Sequence, residues 1–264
     1  MKIGFIGAGN MAEAIIAGLL KSKGAVPSDI LISDVLKPRL DALQKKYGVI
    51  PAASNRAVIT NSEAIILAVK PKDACFVKET LSVIRPSSFV ISIMAGITTG
   101  FFEDGKVKIP VVRVMPNTPA LVLSGMAAIC KGKYADETHL EKTRKILESV
   151  GKVVEVEEKL MDAVTAVSGS GPAYVFLFAE ALLEAAEKSG IDKETAKILV
   201  ANTLQGGAKM ILESGEEPSV LRERVTSPGG TTAAALAVFE NMKFKEIIGK
   251  AVEAAKNRSK EMSK

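Results

Sequence analysis

The sequence has few of the residues on which many active sites are built. It contains a single histidine, His139, in a polar stretch that we interpret as the start of an exposed surface helix. A Ser-His-Asp relay would need that one histidine, and a multi-histidine metal site would need more of them. We therefore expect no resident metal, and we expect a cofactor to supply most of the chemistry.

Cysteine and long apolar runs are scarce as well. Cys75 and Cys130 are the only cysteines, too few for a disulfide framework and wrongly spaced for a zinc site. No stretch reads as apolar for long enough to cross a bilayer, and the first residues lack the features of a secretory signal peptide. We therefore expect a cytoplasmic protein without a membrane partner.

Positive charge is modest and spread along the chain. The net charge is +5 and the isoelectric point is near 9.0, with a dense basic stretch only at residues 256–264. A nucleic-acid-binding protein usually concentrates its charge on one element, often with aromatic residues between the basic ones. This chain has no Trp and three Tyr. We expect no nucleic-acid partner, although a general attraction for anionic ligands is compatible with this charge.

Apolar runs and amphipathic stretches alternate in the first part of the chain. Short runs rich in Ile and Val predict strands at residues 3–6, 30–33, 64–69 and 89–93, with three more at 111–115, 127–131 and 152–156. The stretches between them predict helices at residues 11–22, 38–47, 72–84 and 138–149. This alternation is typical of an α/β domain of Rossmann type, with a mostly parallel sheet covered on both faces.

The second part of the chain reads as helical throughout. Residues 172–189, 193–214, 231–241 and 244–257 are rich in Ala, Leu, Glu and Lys. We predict a dinucleotide-binding domain over residues 1–157 and an all-α domain over residues 158–264. Residues 173–179 are apolar on every face, so that turn must be buried all round. This predicts a homodimer formed through the C-terminal domain; a central helix of a monomeric bundle is the alternative.

A glycine-rich string directly follows the first predicted strand. Residues 7–12, Gly-Ala-Gly-Asn-Met-Ala, fit the G-x-G-x-x-G/A fingerprint of dinucleotide-binding domains. Gly7 would allow the tight turn, Gly9 would let the backbone approach a pyrophosphate, and Ala12 would let helix and strand pack closely. The start of the following helix would attract the phosphate charge. The string therefore predicts a site for NAD or NADP.

Residues at other predicted strand ends extend this site. Asp34 ends the second strand, where an acid commonly binds the adenosine ribose; this favours NAD, because a carboxylate repels the extra phosphate of NADP. Lys37 and Arg39 follow closely and could offset that repulsion, so both dinucleotides stay open. Lys70 is either a site residue or a surface residue after a strand. Asn55 is either a site residue or a helix cap.

Two glycine-rich strings introduce helices in the second half. Residues 168–174 (Ser-Gly-Ser-Gly-Pro-Ala-Tyr) place Pro172 at a first helical position, and residues 226–232 (Thr-Ser-Pro-Gly-Gly-Thr-Thr) lead into the helix at 231–241. Free N–H groups at such a helix start, with the hydroxyls of Thr231 and Thr232, suit a carboxylate ligand. Two ordinary capped helix starts are the alternative interpretation.

Several strings together resemble the signatures of the pyrroline-5-carboxylate reductase family. They occupy residues 7–11, 68–71, 113–119 (Arg-Val-Met-Pro-Asn-Thr-Pro), 162–174 and 225–232, in the family's order. The string Ser-Pro-Gly-Gly-Thr-Thr at residues 227–232 is the most specific. The resemblance implies a Rossmann-type domain followed by an all-helical domain that forms interleaved dimers, often assembled into decamers. It also implies the last step of proline biosynthesis, in which NADPH or NADH reduces 1-pyrroline-5-carboxylate to L-proline.

The resemblance further implies roles for particular residues. Positions that contact the dinucleotide correspond here to Ile6, Gly7, Ala8, Gly9, Asn10, Met11, Asp34, Asn55, Ala68, Val69, Lys70, Pro71 and Ala95. Positions around the substrate correspond to Glu158, Thr231 and Thr232. Some relatives carry Ser where Asp34 stands, which suits a 2′-phosphate, so the choice between NAD and NADP stays open.

The reaction chemistry agrees with this set of residues. The substrate is a cyclic imine that bears a carboxylate, and its protonated form is already electrophilic, so a dedicated histidine acid is not needed. We hypothesise that the Gly230-Thr231-Thr232 backbone holds the carboxylate and that the Thr232 hydroxyl, the expected catalytic group, lies close to the imine nitrogen. Positioning would then carry much of the rate.

Three other functions are compatible with parts of the sequence. A β-hydroxyacid dehydrogenase would carry a lysine on the first long C-terminal helix, and residues 173–186 contain none. A deazaflavin-dependent NADP reductase would lack the string at 227–232. A non-catalytic dinucleotide sensor would bind cofactor without turning over an imine.

Overall fold

A computed structural model describes residues 1–105 and 107–262 of the chain. Contacts divide them into two compact units, which we describe separately. The first comprises Met1–Ser170 with a C-terminal segment that begins at Ala254, and the second comprises Gly171–Glu253. These units follow from contacts alone, and the domain boundary expected between residues 157 and 158 stays a prediction.

The first unit is built on an eight-stranded sheet with the order β3-β2-β1-β4-β5-β6-β7-β8. Its strands are β1 (Ile3–Ile6), β2 (Ile30–Ser33), β3 (Ile50–Pro51), β4 (Ala64–Leu67), β5 (Phe89–Ser92), β6 (Val111–Pro116), β7 (Gly125–Lys131) and β8 (Gly151–Glu155). Neighbouring strands are parallel except β6 and β7, which confirms the predicted mostly parallel sheet. The order reverses between β1 and β4, where open α/β sheets bind ligands.

Helices cover both faces of this sheet. They are α1 (Asn10–Lys21), α2 (Lys37–Tyr47), α3 (Asn55–Asn61), α4 (Ala74–Thr80), α5 (Thr99–Glu103), α6 (Glu137–Glu148) and α7 (Met161–Val164). Strands β1 and β4 are buried at every residue, as expected for a sheet covered on both sides. Helix α1 approaches the end of α6 closely, because a Cβ on Gly18 would lie 2.6 Å from the Ser149 carbonyl oxygen.

The short elements were the ones that the sequence did not predict. Strand β3 has two residues, and α3 and α5 have seven and five. The single helix predicted over residues 72–84 is shorter, since α4 is flanked by two 3₁₀ turns, Pro71–Asp73 and Leu81–Val83. Elements of one or two turns contain too few residues for a hydrophobic period to stand out.

The helix predicted over residues 172–189 continues a longer helical segment. The segment Glu158–Lys188 is helical over 31 residues, and a π-helical turn, Thr165–Gly169, precedes the next helix. The Ser170 N–H donates to the Thr165 carbonyl oxygen at 2.8 Å, so the glycine-rich string does not present a free helix start. By length and composition alone, this segment is also apolar enough to cross a membrane, contrary to expectation. The continuous turn lengthens an apolar helix that the sequence appeared to interrupt with glycines.

The second unit is helical, with no strand in Gly171–Glu253, all of which is described. It contains α8 (Gly171–Lys188), α9 (Lys193–Ser214), α10 (Pro218–Arg224), α11 (Thr231–Asn241) and the start of α12 (Phe244–Met262). Helices α8 and α9 pack on each other. Helix α8 has no buried residue in the single chain: Phe176 and Leu177 are 65% and 66% exposed. This rules out the monomeric bundle in which the chain itself would bury that helix.

Candidate active site

The glycine-rich loop forms a tight turn at the carboxyl end of β1. Gly7 has a φ of +95°, and its N–H donates to the Ser33 carbonyl oxygen at 2.8 Å. A Cβ at this position would lie 2.6 Å from the carbonyl oxygen of Ala68, at the end of β4. Only glycine fits here, because both the backbone conformation and the close approach of the Ala68 backbone exclude a side chain.

Gly9 leaves open space in front of the first helix. It is the N-cap of α1, and no side chain of the described residues caps that end. Apart from Gly9 and its two chain neighbours, no described atom lies within 4 Å of a Cβ built on Gly9, whereas Ala12 is fully buried against the sheet. The free N–H groups of a helix start attract phosphate. The loop therefore fits the pyrophosphate of a dinucleotide, as the glycine-rich string at residues 7–12 predicted.

Asp34 binds the backbone of the same loop. Its Oδ2 accepts a hydrogen bond from the Ala8 N–H at 2.7 Å, and its Oδ1 accepts from the Leu36 N–H at 2.9 Å. These bonds hold the carboxylate at the carboxyl end of β2, beside the glycine-rich turn. An acid in this place is suited to the ribose hydroxyls of NAD.

A cluster of ionised side chains surrounds Glu13, in the first turn of α1. Arg39 pairs with its Oε2, while Lys46 Nζ and the Tyr47 hydroxyl donate to its Oε1 at 2.9 and 3.1 Å. Burial alone would raise the pKa of Glu13, but the hydrogen bonds from Lys46, Arg39 and Tyr47 outweigh it and lower that pKa. Arg39 Nε also donates to the Ala8 carbonyl oxygen at 2.6 Å. Sequence analysis did not identify Glu13 as part of the site.

Asn55 is anchored at the end of β2 and does not cap its helix. Its Oδ1 accepts from the Ser33 hydroxyl at 2.8 Å, and Ser33 is buried. The cap of α3 is Ser54, whose hydroxyl accepts from the Ala57 N–H at 3.2 Å. Of the two interpretations, the helix cap is therefore wrong.

The remaining predicted cofactor residues follow β4 and β5. Ala68, Val69 and Pro71 are half-buried directly after β4, Lys70 is exposed, and Ala95 follows β5. Because neighbouring parallel strands end at one edge, the structure brings these residues together with the Gly7 loop. Their contacts with a dinucleotide stay predictions.

Glu158 is the centre of a second polar cluster in the first unit. Its carboxylate accepts from the N–H and the hydroxyl of Thr99, both at 2.7 Å, and pairs with Arg113 at 3.3 Å. Arg113 is 5% exposed and also lies 4.0 Å from Asp162, which in turn accepts from the Ser259 hydroxyl at 2.7 Å. The cluster ties the loop after β5 to β6 and to the start of α7.

An open pocket of about 420 Å³ borders this cluster. It is lined by Thr98, Arg113, Glu158, Lys159, Asp162 and Lys260. The Arg-Val-Met-Pro-Asn-Thr-Pro string pointed to this region, but the sequence assigned no role to Thr99 or Arg113. Only the folded chain brings residues 99, 113 and 158 within bonding distance.

Asn117 supports the π-helical turn. Its Nδ2 donates to the Ser168 carbonyl oxygen at 3.2 Å, and its Oδ1 accepts from the Met126 N–H at 2.8 Å. Pro172 has no N–H with which to satisfy the Ser168 carbonyl, so Asn117 provides the donor. Isolated π turns often lie at functional sites. Sequence analysis missed this link because residues 117 and 168 are far apart in the chain.

The predicted substrate residues other than Glu158 lie at the start of α11. Gly230 is the N-cap with φ −80° and ψ 173°, no described side chain caps it, and Thr231 and Thr232 open the helix. The Gly230 N–H donates to the Ser227 carbonyl oxygen at 3.0 Å, and Gly229 has a φ of +69°. This tight turn leaves the first N–H groups of an 11-residue helix available to an anion.

His139 is structural, although it is half-buried and not exposed as expected. Its Nδ1 accepts from the Asp136 N–H, and the Asp136 Oδ1 accepts from the His139 N–H, both at 3.1 Å. The pair caps α6, and the imidazole ring packs edge-on against Phe89 at 5.0 Å. Among residues 1–105 and 107–262, no group of three His, Cys, Asp or Glu residues has the arrangement of a metal site.

Comparison with known proteins agrees with this geometry. The family model for pyrroline-5-carboxylate reductase dimerisation matches residues 158–262. A pyrroline-5-carboxylate reductase from Synechocystis is 43% identical over 264 residues, which cover 100% of this chain and 99% of that relative. This chain belongs to the pyrroline-5-carboxylate reductase family. The predicted family resemblance is thereby confirmed, as is an oxidoreductase that uses NAD or NADP.

Solved structures of the family share the whole fold. A pyrroline-5-carboxylate reductase from Coxiella burnetii is 40% identical with a TM-score of 0.90, covering 100% of this chain and 98% of its own. The Plasmodium falciparum pyrroline carboxylate reductase with NADP bound is 34% identical, with a TM-score of 0.91 over the same shares of the two chains. The family model for coenzyme F420-dependent NADP oxidoreductases matches only residues 2–96. That match covers only the dinucleotide-binding part, which a deazaflavin-dependent reductase would also have, so it does not favour that alternative.

Proposed function

We propose that this protein reduces 1-pyrroline-5-carboxylate to L-proline with NADH or NADPH, the last step of proline biosynthesis. Two open helix starts carry the proposal, in a chain that is similar to these reductases from end to end. One follows Gly9 and suits a pyrophosphate; the other follows Gly230 and suits a carboxylate. The substrate has the carboxylate, and the dinucleotide has the pyrophosphate.

The substrate is held by the turn that opens α11. The N–H groups of Thr231 and Thr232 bind its carboxylate, while the Thr232 hydroxyl lies near the ring nitrogen and orients it. The Glu158 cluster also contributes to binding. Because Thr99 and Arg113 already bind the Glu158 side-chain carboxylate, the part of Glu158 is to place these neighbouring groups. A protonated imine accepts a hydride without an acid catalyst, so these residues act mainly by positioning.

The dinucleotide is held by residues at the carboxyl edge of the sheet. Gly7 to Met11 bind the pyrophosphate, Asp34 binds the adenosine ribose, and Ala95 and residues 68–71 border the nicotinamide. The nicotinamide, when bound, supplies the hydride, which is the chemistry that the side chains themselves lack. The space beside Gly9 and the uncapped start of α1 fit this group.

The active protein is a homodimer formed through the C-terminal domain, residues 158–264. The exposed apolar residues of α8, including Phe176 and Leu177, support this assembly, because an unpartnered surface of that kind is unstable in water. A homodecamer built from these dimers is a further expectation. We also propose a cytoplasmic protein with no membrane or nucleic-acid partner, in which the apolar helix is covered by the second subunit.

Steady-state kinetics test the reaction directly. Oxidation of NADH and of NADPH is followed in parallel with 1-pyrroline-5-carboxylate as substrate, and turnover with either supports the proposal. Protein that binds dinucleotide but turns over neither would contradict it, and would favour a dinucleotide sensor or another imine or carbonyl substrate.

The role of Thr232 is tested by a matched pair of variants. Thr232→Ala removes the hydroxyl, and we expect kcat/KM to fall by about tenfold, the upper range for one neutral hydrogen bond. Thr232→Ser keeps the hydroxyl and should retain most of the activity. Unchanged kcat and KM in Thr232→Ala would remove this side chain from the mechanism.

The dimer is tested by a charge placed on α8. Phe176→Glu introduces a carboxylate into the proposed interface, so sedimentation should show dissociation to monomers. Val26→Glu places the same charge on an exposed apolar residue of the first unit, 55% exposed, and should leave the assembly intact. A Phe176→Glu variant that sediments like the wild type would contradict this interface.

A further inference from the structure

The ribose end of the proposed dinucleotide site contains an arginine, Arg39, whose charge is already neutralised by an ion pair with Glu13. Asp34 and Arg39 bind the two backbone polar groups of Ala8: the Asp34 carboxylate accepts from the Ala8 N–H at 2.7 Å, and the Arg39 Nε donates to the Ala8 carbonyl oxygen at 2.6 Å. The guanidinium and the Asp34 carboxylate therefore both bind the backbone of the glycine-rich loop, at Ala8. An arginine in this neighbourhood is the usual partner of a 2′-phosphate.

That guanidinium is bound by Glu13 from the other side. Arg39 Nη2 pairs with one carboxylate oxygen of Glu13, and Lys46 Nζ donates to the other at 2.9 Å. The Glu13 and Arg39 side chains are only 20% and 29% exposed, so solvent screens the pair incompletely. The hydrogen bonds to Arg39, Lys46 and Tyr47 keep Glu13 ionised by lowering its pKa, against the effect of burial.

No other cation is free to replace Arg39 near Asp34 along this part of α2. Lys37 pairs with Asp41 at 2.9 Å, and its side chain is 82% exposed. A 2′-phosphate would therefore meet the Asp34 carboxylate while Lys37 and Arg39, the cations at the start of α2, are already paired. A ribose hydroxyl, by contrast, needs only an acceptor, which Asp34 supplies.

We propose that Glu13 determines the choice of dinucleotide: by holding Arg39 in an ion pair, it disfavours a 2′-phosphate and makes this protein prefer NADH. The inference deepens the proposed function, since it names the cofactor of that same site. Both dinucleotides carry the same pyrophosphate and nicotinamide. The ratio of their affinities therefore isolates the 2′-phosphate from every other contact.

The test is a binding titration without substrate, followed by the fluorescence of the reduced nicotinamide. We expect the wild type to bind NADH about tenfold more tightly than NADPH, the size of one charge-assisted hydrogen bond. Glu13→Gln keeps the shape and hydrogen-bonding capacity but removes the charge, so Arg39 becomes available. The ratio of the dissociation constants, NADPH over NADH, should fall by about tenfold.

Two further variants control for net charge and for the identity of the cation. Glu141→Gln removes an equally charged side chain on α6, where Glu141 is 56% exposed and pairs with Lys145, and should leave the ratio unchanged. The double variant Glu13→Gln with Arg39→Gln should return the ratio to that of the wild type. If the relative affinity for NADPH stays raised in the double variant, which lacks Arg39, the inference is overturned.

Other outcomes separate this inference from the proposed reaction. A wild type that binds NADPH more tightly than NADH, or a Glu13→Gln ratio within about twofold of the wild type, would overturn the role of Glu13. If the ratio shifts as expected but no variant reduces 1-pyrroline-5-carboxylate, the inference stands and the proposed function fails. If the variants reduce the imine but the ratio of dissociation constants does not shift, the proposed function stands and the inference about Glu13 fails.

Discussion

Gly9→Ala separates the stability of the dinucleotide-binding unit from its affinity for ligand. The substitution adds one methyl group at the N-cap of α1. The Gly9 backbone has φ −72° and ψ −174°, which alanine adopts readily, and apart from Gly9 and its two chain neighbours no described atom lies within 4 Å of the new Cβ. The folded chain therefore accommodates the methyl group, which instead occupies the space through which a pyrophosphate would approach the backbone.

The expected magnitudes differ between folding and binding. Alanine is a poorer N-cap than glycine by about 1 kcal/mol, but it restricts the unfolded chain by about 0.4–1 kcal/mol. These effects offset each other, so the free energy of unfolding should change by less than about 1 kcal/mol. Loss of one charged hydrogen bond to phosphate costs about 1.5–3 kcal/mol, which weakens binding about ten- to a hundredfold.

Urea unfolding and a titration with NADH and NADPH measure the two quantities on the same preparation. Gly105→Ala is the matched control, because its Cβ also meets open space and it lies in the loop after α5. We expect this control to bind both dinucleotides normally. Wild-type affinity in Gly9→Ala would refute the assignment of this loop to the pyrophosphate.

Three further predictions concern stability and reactivity. Gly7→Ala, at φ +95° and 2.6 Å from a carbonyl oxygen, should lose at least about 2 kcal/mol of unfolding free energy as well as dinucleotide binding, measured by the same two methods; a normal urea midpoint would contradict the close approach. Glu158→Gln leaves the buried Arg113 without its nearest charge, so unfolding free energy should fall by about 1–3 kcal/mol; an unchanged midpoint would mean that the pair is dispensable. Burial, assisted by the charge of Glu158, raises the pKa of Cys130 to about 12, whereas Cys75 is exposed. Alkylation near pH 8 should therefore modify Cys75 alone, and mass spectrometry of a doubly modified native chain would refute this burial.

The strands and the dinucleotide loop were predictable because each depends on local sequence. Runs such as residues 3–6 and 30–32 contain no polar side chain, which is typical of strands covered on both faces, and the strands Ile3–Ile6 and Ile30–Ser33 have the predicted bounds. The turn at Gly7 requires a conformation that glycine alone adopts without cost, so the residue type itself marks the position. Likewise, the Gly229-Gly230 turn marks the start of α11.

The glycines at residues 169 and 171 were misleading for the same local reason. They follow the pattern of a helix boundary, but the Thr165–Gly169 turn continues the helix with wider hydrogen bonds. Asn117, a residue of the strand region, donates to the carbonyl that Pro172 leaves without a partner. Helix continuity there depends on a tertiary contact, which a local pattern does not contain.

The sequence by itself determined the class of the protein: alternating strands and helices, a glycine turn that only one residue type permits, and an apolar helix that a single chain does not bury. Only the tertiary structure decided which charges meet. Glu13 and Arg39 are 26 residues apart, and Arg113 and Glu158 are 45 apart. Charged side chains occur throughout any soluble chain, and an ion pair leaves no periodic trace in sequence. Such pairs exist only because the sheet brings the ends of distant strands to one edge, where their short-range attraction becomes effective.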